Sequence, residues 1–282
     1  MVDIEVNEDP IKGIHMELDD TGTATKFFTN PNSNKEQSEI SQIPLNDAIQ
    51  FFKLKKGANQ IQFSVTSAFQ GTTKCFCQIY LWHFSTKIVI SDIDGTITKS
   101  DVRGQVLHMI GRDWSQCDVV KLFNKIAQNG YQIVYLSARA VGQASMTKDY
   151  LTSVKQEETC LPEGPMFLNP CSLANAFHLE VIEKKPEAFK IGCLQVIQSL
   201  FPPEGADNPN PLYAGFGNRS NDVEAYQTVG IPISRNFSIN SKGELRHDKN
   251  LLENRDAQTS SSYGKVTDIV DHIFPNLSTQ LC

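Results

Sequence analysis

The sequence predicts a mixed α/β protein, with a β-rich region over residues 1–85 and an α/β domain built on a parallel sheet over residues 86–282. Three observations lead there. Short stretches of alternating apolar and polar residues dominate the first region, the period-2 signature of half-buried strands. From Lys87 onward, short apolar runs alternate with stretches of helical periodicity, the pattern of strand–helix–strand units. Several of those runs stop abruptly at residues carrying hydroxyl, amide or carboxylate groups, as the strands of an α/β sheet do where they deliver a site.

The elements follow in order. Asp3–Val6, Gly13–Leu18 and Ala24–Phe28 read as strands, with a turn at Asp20 and Gly22. Thr29–Gln42 is polar and reads as a linker. Ile43–Phe52 suits a short helix, and Gln60–Ser64 and Thr73–Phe84 return to strand patterning, so the region as a whole suggests a small β-sandwich. In the second region Ile88–Ile90 is a β-branched run of the kind covered on both faces. A helix is expected over Asp118–Gln128, ended by Asn129-Gly130. Tyr131–Leu136 reads as a strand, Gly142–Val154 as a helix, and Ala188–Leu200 as an amphipathic helix stopped by Pro202-Pro203. Leu212–Phe216 is a strand, Asn221–Thr228 a helix and Ile231–Phe237 a short strand.

Composition narrows the function classes. Hydrophobic residues make up 40% and charged residues 21%, the balance of a globular chain rather than a fibrous or disordered one. No stretch approaches the ~18 uninterrupted apolar residues of a membrane span. The acidic, polar start MVDIEVNEDP does not resemble a signal peptide. None of the seven cysteines forms a C-x-x-C pair, so reduced thiols are expected rather than a zinc knuckle or disulfide framework. A net charge of −6 with no long basic run argues against a nucleic-acid partner. It leaves an anionic small substrate open, because a local cationic pocket can sit in an acidic protein.

The sharpest chemical signal is Asp92-Ile93-Asp94-Gly95-Thr96, directly after the buried strand. Residues i and i+2 of an extended segment point the same way, so Asp92 and Asp94 are expected to converge at a strand's C-terminal end. Gly95 allows a sharp turn there, and Thr96 is placed to hydrogen-bond back and hold the second aspartate. Two carboxylates so close call for a cation, and hard oxygen donors suit Mg²⁺. One carboxylate is then suited to attack phosphorus, the other to give and take a proton. Asp-Gly is also an ordinary turn dipeptide, and D-x-D-G opens an EF-hand loop. That loop needs Glu at its twelfth position, which here is Arg103.

Three weaker elements follow. Ser137 ends the second strand, ahead of a helix, where a hydroxyl and a helix N-terminus suit a phosphoryl oxygen and where a serine is also an ordinary helix N-cap; Arg139 suits a second anion contact or an ordinary surface arginine. Lys184 and Lys185 precede a helix and can neutralise phosphoryl charge. Asn218 and Asp222, after the strand Leu212–Phe216, are oxygen donors for a metal. Their order carries the reading: 45 residues separate Asp92 from Ser137, 48 separate Ser137 from Lys185, and 37 separate Lys185 from Asp222.

These four elements resemble the motifs of the haloacid-dehalogenase superfamily, and the chain is more specifically similar to the lipin family of magnesium-dependent phosphatidate phosphatases. The likeness rests on FSVTSAFQGT (Phe63–Thr72), YLW (Tyr80–Trp82), ISDIDGTITKSD (Ile90–Asp101), NGYQIVYLSARA (Asn129–Ala140), VIEKKPEAFKI (Val181–Ile191) and FGNRSNDVEAY (Phe216–Tyr226). It extends to the segment that follows Met1. The resemblance implies a Rossmann-like haloacid-dehalogenase catalytic domain over residues 86–282 and an immunoglobulin-like β-sandwich over residues 1–85. It implies Asp92 as the nucleophile that forms an aspartyl-phosphate, and Asp94 as general acid and base. Mg²⁺ would be held by Asp92, by the Asp94 backbone carbonyl, and by Asn218, Asp222 or both. Thr96, Ser137, Arg139 and one of Lys184 and Lys185, by preference Lys185, would hold the phosphoryl group.

The implied reaction is hydrolysis of phosphatidic acid to diacylglycerol and phosphate by a cytoplasmic protein at the surface of the endoplasmic reticulum or nuclear membrane. The motif spacings leave little room for a large cap, which suits a head group presented by a bilayer. In the family the N-terminal region begins earlier, with an amphipathic membrane-binding helix and the first strands, whereas Met1 here falls inside that region; the sandwich is therefore expected with an open edge. The family's coactivator motif is not clearly kept at Val106–Ile110. Two alternatives share the same residues: a phosphatase acting on a soluble phosphomonoester or phosphoprotein, and a catalytically silent lipid-binding regulator.

Overall fold

The computed structural model describes residues 1–12, 14, 16–26, 28–29, 40–41, 49–67, 69, 71–99, 115–170, 186–202, 210–247 and 261–277. Most of the linker Thr29–Gln42, much of the expected helix Ile43–Phe52, the Val106–Ile110 segment and both Lys184 and Lys185 lie outside the described residues. The chain divides into two compact units, Met1–His83 and Phe84–Cys282.

In the first unit β1 (Asp3–Val6), β2 (Asp9–Pro10), β5 (Gly57–Ser67) and β6 (Gly71–Leu81) form one antiparallel sheet in the order β2-β1-β5-β6. A separate ladder joins β3 (Phe28–Thr29) to β4 (Ile40–Ser41). The sheet covers a small core of Ile4, Val6, Ile14, Phe52 and Ile61. The strands expected at Gly13–Leu18 and Ala24–Phe28 are reduced, among the described residues, to isolated bridges Val2–Met16 and Leu18–Ala24 and the short β3. In the long hairpin β5 extends the expected strand Gln60–Ser64 at both ends, and β6 starts two residues before and ends three residues before the expected Thr73–Phe84, because every residue from Gly57 to Ser67 finds a cross-strand partner between Gly71 and Leu81.

The second unit holds a six-stranded sheet in the order β11-β8-β7-β12-β13-β14. Its strands are β7 (Ile88–Asp92), β8 (Gln132–Ala140), β11 (Met166–Asn169), β12 (Leu212–Gly217), β13 (Asn236–Ile239) and β14 (Leu245–His247). All neighbours pair in parallel except β13 with β14. A two-stranded ladder, β9 (Lys155–Gln156) with β10 (Thr159–Cys160), stands apart. The helices are α1 (Val119–Gln128), α2 (Ala144–Ser153), α3 (Pro186–Ser199), α4 (Ser220–Thr228), α5 (Tyr263–Asp268) and α6 (Val270–Ile273). A mixed α/β fold with a parallel sheet is therefore observed.

β7 is buried along its whole length and pairs with β8 on one side and β12 on the other. The chain builds outward from β7 to β8 and β11, then returns to lay β12 against the opposite edge of β7. That reversal of strand order is the kind of switch point outside whose C-terminal strand ends α/β sheets place their ligands. Beneath it Phe123, Phe216, Phe237, Tyr263 and Phe274 are almost wholly buried, with Phe216 stacked on Phe237 at a centroid distance of 4.7 Å.

Candidate active site

β7 delivers Asp92 as its last residue, buried at 5% exposure. The chain then turns over Ile93–Ile97: the backbone N–H groups of Thr96, Ile97 and Thr98 all point at the Ile93 carbonyl. Gly95 sits at a φ of 84°, a conformation that costs glycine little and other residues more. Its N–H donates to Thr98 Oγ1 at 2.7 Å. The turn means that Asp94 is not on an extended continuation of β7, so the strand-parity argument for its direction fails. The Thr96 hydroxyl faces Asp92 Oδ2 at 3.4 Å rather than holding Asp94.

The site has two halves. In the first, Lys190 Nζ donates to Asp92 Oδ1 at 2.6 Å and to Asp222 Oδ1 at 2.5 Å. All three side chains are nearly excluded from water. Lys190 lies on α3, where Lys190, Leu194 and Ile197 share the buried face. Among the described residues Lys190 is the lysine that meets the carboxylates; it lies five and six positions beyond Lys185 and Lys184, which are outside the described residues. Its sequence signal is a lone lysine in a core-facing slot, at i with apolar residues at i+4 and i+7.

Asp222 starts α4. Its Oδ2 accepts the backbone N–H groups of Asn218 and Arg219, both at 3.1 Å, so it ties the end of β12 to the helix while Oδ1 takes Lys190. The approach requires Gly217, where a Cβ would lie 2.5 Å from Asp222 Cβ and 2.8 Å from its Oδ2.

In the second half, Asp94 is gripped by Arg139: Nε donates to Oδ2 at 3.0 Å and Nη2 to Oδ1 at 2.5 Å. Ser137 Oγ adds a bond to Asp94 Oδ2 at 3.0 Å. Ser137 and Arg139 lie within β8, which runs four residues beyond the expected end at Leu136 because β11 pairs with it, Leu168 opposite Ser137 and Asn169 opposite Ala140. Ser137 is therefore not a helix cap; α2 starts at Ala144 after a 3₁₀ turn at Val141–Gln143. Arg139, expected to contact an anion, makes its fork to Asp94 instead.

Electrostatics follow from burial. Asp92 is pushed up to about 7 by burial, with Asp222 and Asp94 adding and Lys190 opposing. Burial works against the Lys190 charge, but Asp92 and Asp222 outweigh it and raise its pKa. Two buried carboxylates share a single ammonium here, leaving negative charge in the crevice.

That surplus, with only oxygen donors around it, fits a hard cation. No three acidic, histidine or cysteine side chains among the described residues close into a ready cage. Mg²⁺ does not need one, since it binds through one or two carboxylates and keeps several waters. Asn221, one residue before Asp222, also has a buried Oδ1 without a hydrogen-bond partner among the described residues.

Similarity to known proteins runs along most of the chain. Phosphatidate phosphatase LPIN2 of Homo sapiens is 50% identical over 234 residues, covering 83% of this chain and 25% of that protein. Phosphatidate phosphatase PAH1 of Arabidopsis thaliana is 43% identical, covering 87% and 26%. Phosphatidic acid phosphohydrolase 1 of Saccharomyces cerevisiae is 47% identical, covering 90% and 30%. The chain thus spans between a quarter and a third of the length of these relatives. Residues 41–275 match the model of the LNS2 (Lipin/Ned1/Smp2) family, and the chain belongs to that family.

Proposed function

We propose that this chain hydrolyses phosphatidic acid to diacylglycerol and phosphate at a membrane surface, with Asp92 as nucleophile, Asp94 as general acid and base, and Mg²⁺ as its metal. The observation that carries the reading is the Asp92–Lys190–Asp222 bridge at the C-terminal ends of β7 and β12. It sets a buried carboxylate beside a cation, with its second oxygen, Oδ2, in a 3.4 Å contact with the Thr96 hydroxyl among the described residues. The names of the relatives support phosphatidic acid as the substrate.

Asp92 Oδ2 attacks phosphorus, and the bond from phosphorus to the glycerol oxygen breaks. Asp94 gives that oxygen a proton, releasing diacylglycerol and leaving an aspartyl-phosphate. Asp94 then takes a proton from water, whose oxygen attacks phosphorus; phosphate leaves and the Asp92 carboxylate is regenerated. Lys190 offsets the charge of nucleophile and phosphoryl group, and the hydroxyls of Ser137 and Thr96 are the proposed phosphoryl contacts. Asp92, the Asp94 backbone carbonyl, Asn218 and Asp222 are the residues to hold Mg²⁺, which when bound supplies positive charge against the phosphoryl oxygens. The unit Met1–His83 is proposed as part of an immunoglobulin-like domain. No helix among the described residues is long and apolar enough to cross a membrane, and the proposed association is peripheral, at the cytoplasmic face of the endoplasmic reticulum or nucleus.

The test is phosphate release from phosphatidic acid in phosphatidylcholine vesicles with Mg²⁺. Wild-type protein is expected to be active and to stop on chelation, and Asp92→Asn to lose roughly a thousand-fold or more in rate, as removal of a nucleophile does. Unchanged release by Asp92→Asn refutes the nucleophile. Faster turnover of soluble sugar phosphates than of vesicles refutes the substrate.

A further inference from the structure

Resting on that reading of the site, we infer that Arg139 is the positioning residue for Asp94, held in register by Thr147, and not a ligand of the substrate phosphate. Asp94 stands on a turn, outside the sheet's hydrogen-bond ladder, so the backbone alone does not fix its carboxylate plane. Arg139 does: two donors of one rigid guanidinium meet the two oxygens of one carboxylate, a geometry that a single point charge cannot impose. The fork's far side is also engaged. Arg139 Nη1 donates to Thr147 Oγ1 at 3.3 Å, and Thr147, fully buried on α2, donates onward to the Gln143 carbonyl at 2.9 Å. Ser137 Oγ joins from the same strand, donating to Asp94 Oδ2 while accepting the backbone N–H of Arg139 at 3.2 Å.

The guanidinium therefore spends the edge that would grip a phosphate on Asp94, and its side chain is only 8% exposed. A positioned acid–base group acts on the chemical step, so its loss reads out in kcat; a phosphate ligand acts on substrate binding and reads out in KM and in inhibition by inorganic phosphate. The two roles separate cleanly.

The experiment compares the full chain with Arg139→Lys, which keeps the charge and loses the fork, and with Thr147→Val, which keeps the shape and loses the acceptor. Each is assayed with Mg²⁺ on phosphatidic acid vesicles, with inorganic phosphate as inhibitor. Arg139→Lys is expected to lower kcat by about 10- to 100-fold, a part of the ~10²- to 10⁴-fold that a general acid–base group supplies. Its KM and phosphate inhibition constant stay within about two-fold. Thr147→Val, the variant that is informative even if Arg139→Lys fails to fold, lowers kcat by a few-fold with the same unchanged constants. A rise of ten-fold or more in KM and in the phosphate inhibition constant with kcat kept overturns the inference, as does an unchanged kcat in either folded variant. A wild-type chain inert toward phosphatidic acid removes the underlying reading and this inference with it; an active wild type with the wrong split removes the inference alone.

Discussion

Lys190→Met is the perturbation that the site's electrostatics make most costly. Met keeps most of the side-chain volume and deletes the ammonium that lies 2.6 Å from Asp92 and 2.5 Å from Asp222. Breaking a buried ion pair by removing one partner costs about 3–5 kcal/mol. Here one cation serves two carboxylates, so the upper part of that range, about 4–5 kcal/mol, is expected. For a unit of this size each kcal/mol moves the melting temperature by about 2–4 °C, giving a fall of roughly 8–20 °C. The assay is thermal and urea unfolding in the presence of a chelator. The pH dependence has a definite sign. Asp92 is raised to about 7 in the fold and its unfolded value is near 4, so the folded state binds more protons than the unfolded one in that window and stability falls as pH rises through it. Removing Lys190 extends the window upward, so the deficit is larger at pH 8 than at pH 5. Adding Asp222→Asn to Lys190→Met removes one of the two stranded charges and recovers at least about 1 kcal/mol. A Lys190→Met protein within about 1 kcal/mol of wild type at pH 8, or a double variant less stable than the single, refutes the account.

Two further outcomes follow from contacts around Asp92. Tyr263 on α5 is buried and donates its hydroxyl to the Thr96 carbonyl at 3.0 Å. Tyr263→Phe leaves that carbonyl buried and unmatched, so a loss of about 1–2 kcal/mol with a several-fold lower kcat is expected; an unfolding midpoint equal to wild type counts against the anchor. Gly217→Ala drives a methyl group into Asp222 and should cost about 1–3 kcal/mol. It should also raise the Mg²⁺ concentration for half-maximal activity by about ten-fold, and an unchanged Mg²⁺ titration argues against Asp222 as a ligand.

What the sequence disclosed, and what it withheld, divides along physical lines. The parallel sheet was legible because a strand covered on both faces must be apolar throughout, and Ile88–Ile90 is. The helices α1, α3 and α4 fall within two residues of their expected bounds because apolar periodicity and end signals agreed there. β8 was read too short: its last residues, Ser137-Ala138-Arg139-Ala140, are extended by pairing with β11, and a parallel partner thirty residues away leaves no local trace. The sandwich read for residues 1–85 is, among the described residues, one four-stranded sheet and a short ladder, since alternation reports which residues face a core and not how many layers enclose it.

The site shows the same division more sharply. The neighbourhood of Asp92, Ser137 and Asp222 was legible because Asp92 ends β7, Ser137 lies in the last part of β8 and Asp222 follows β12, and the C-terminal ends of neighbouring parallel strands lie side by side. Lys190 was not singled out in the sequence, where Lys184 and Lys185, outside the described residues, drew attention as a basic pair ahead of a helix. A helix reaches its packed side with residues of its interior face, so the signal for Lys190 is its place in line with Leu194 and Ile197. Arg139 was visible as an arginine near an anion site, yet composition cannot say whether a guanidinium faces the substrate or the carboxylate next to it. That choice is made where the chain leaves β7 after Asp92 and turns over Ile93–Ile97, a turn in which Gly95 takes a positive φ. The turn over Ile93–Ile97 is thus the reason the two aspartates, two residues apart, end on different cations, Asp92 on Lys190 and Asp94 on Arg139.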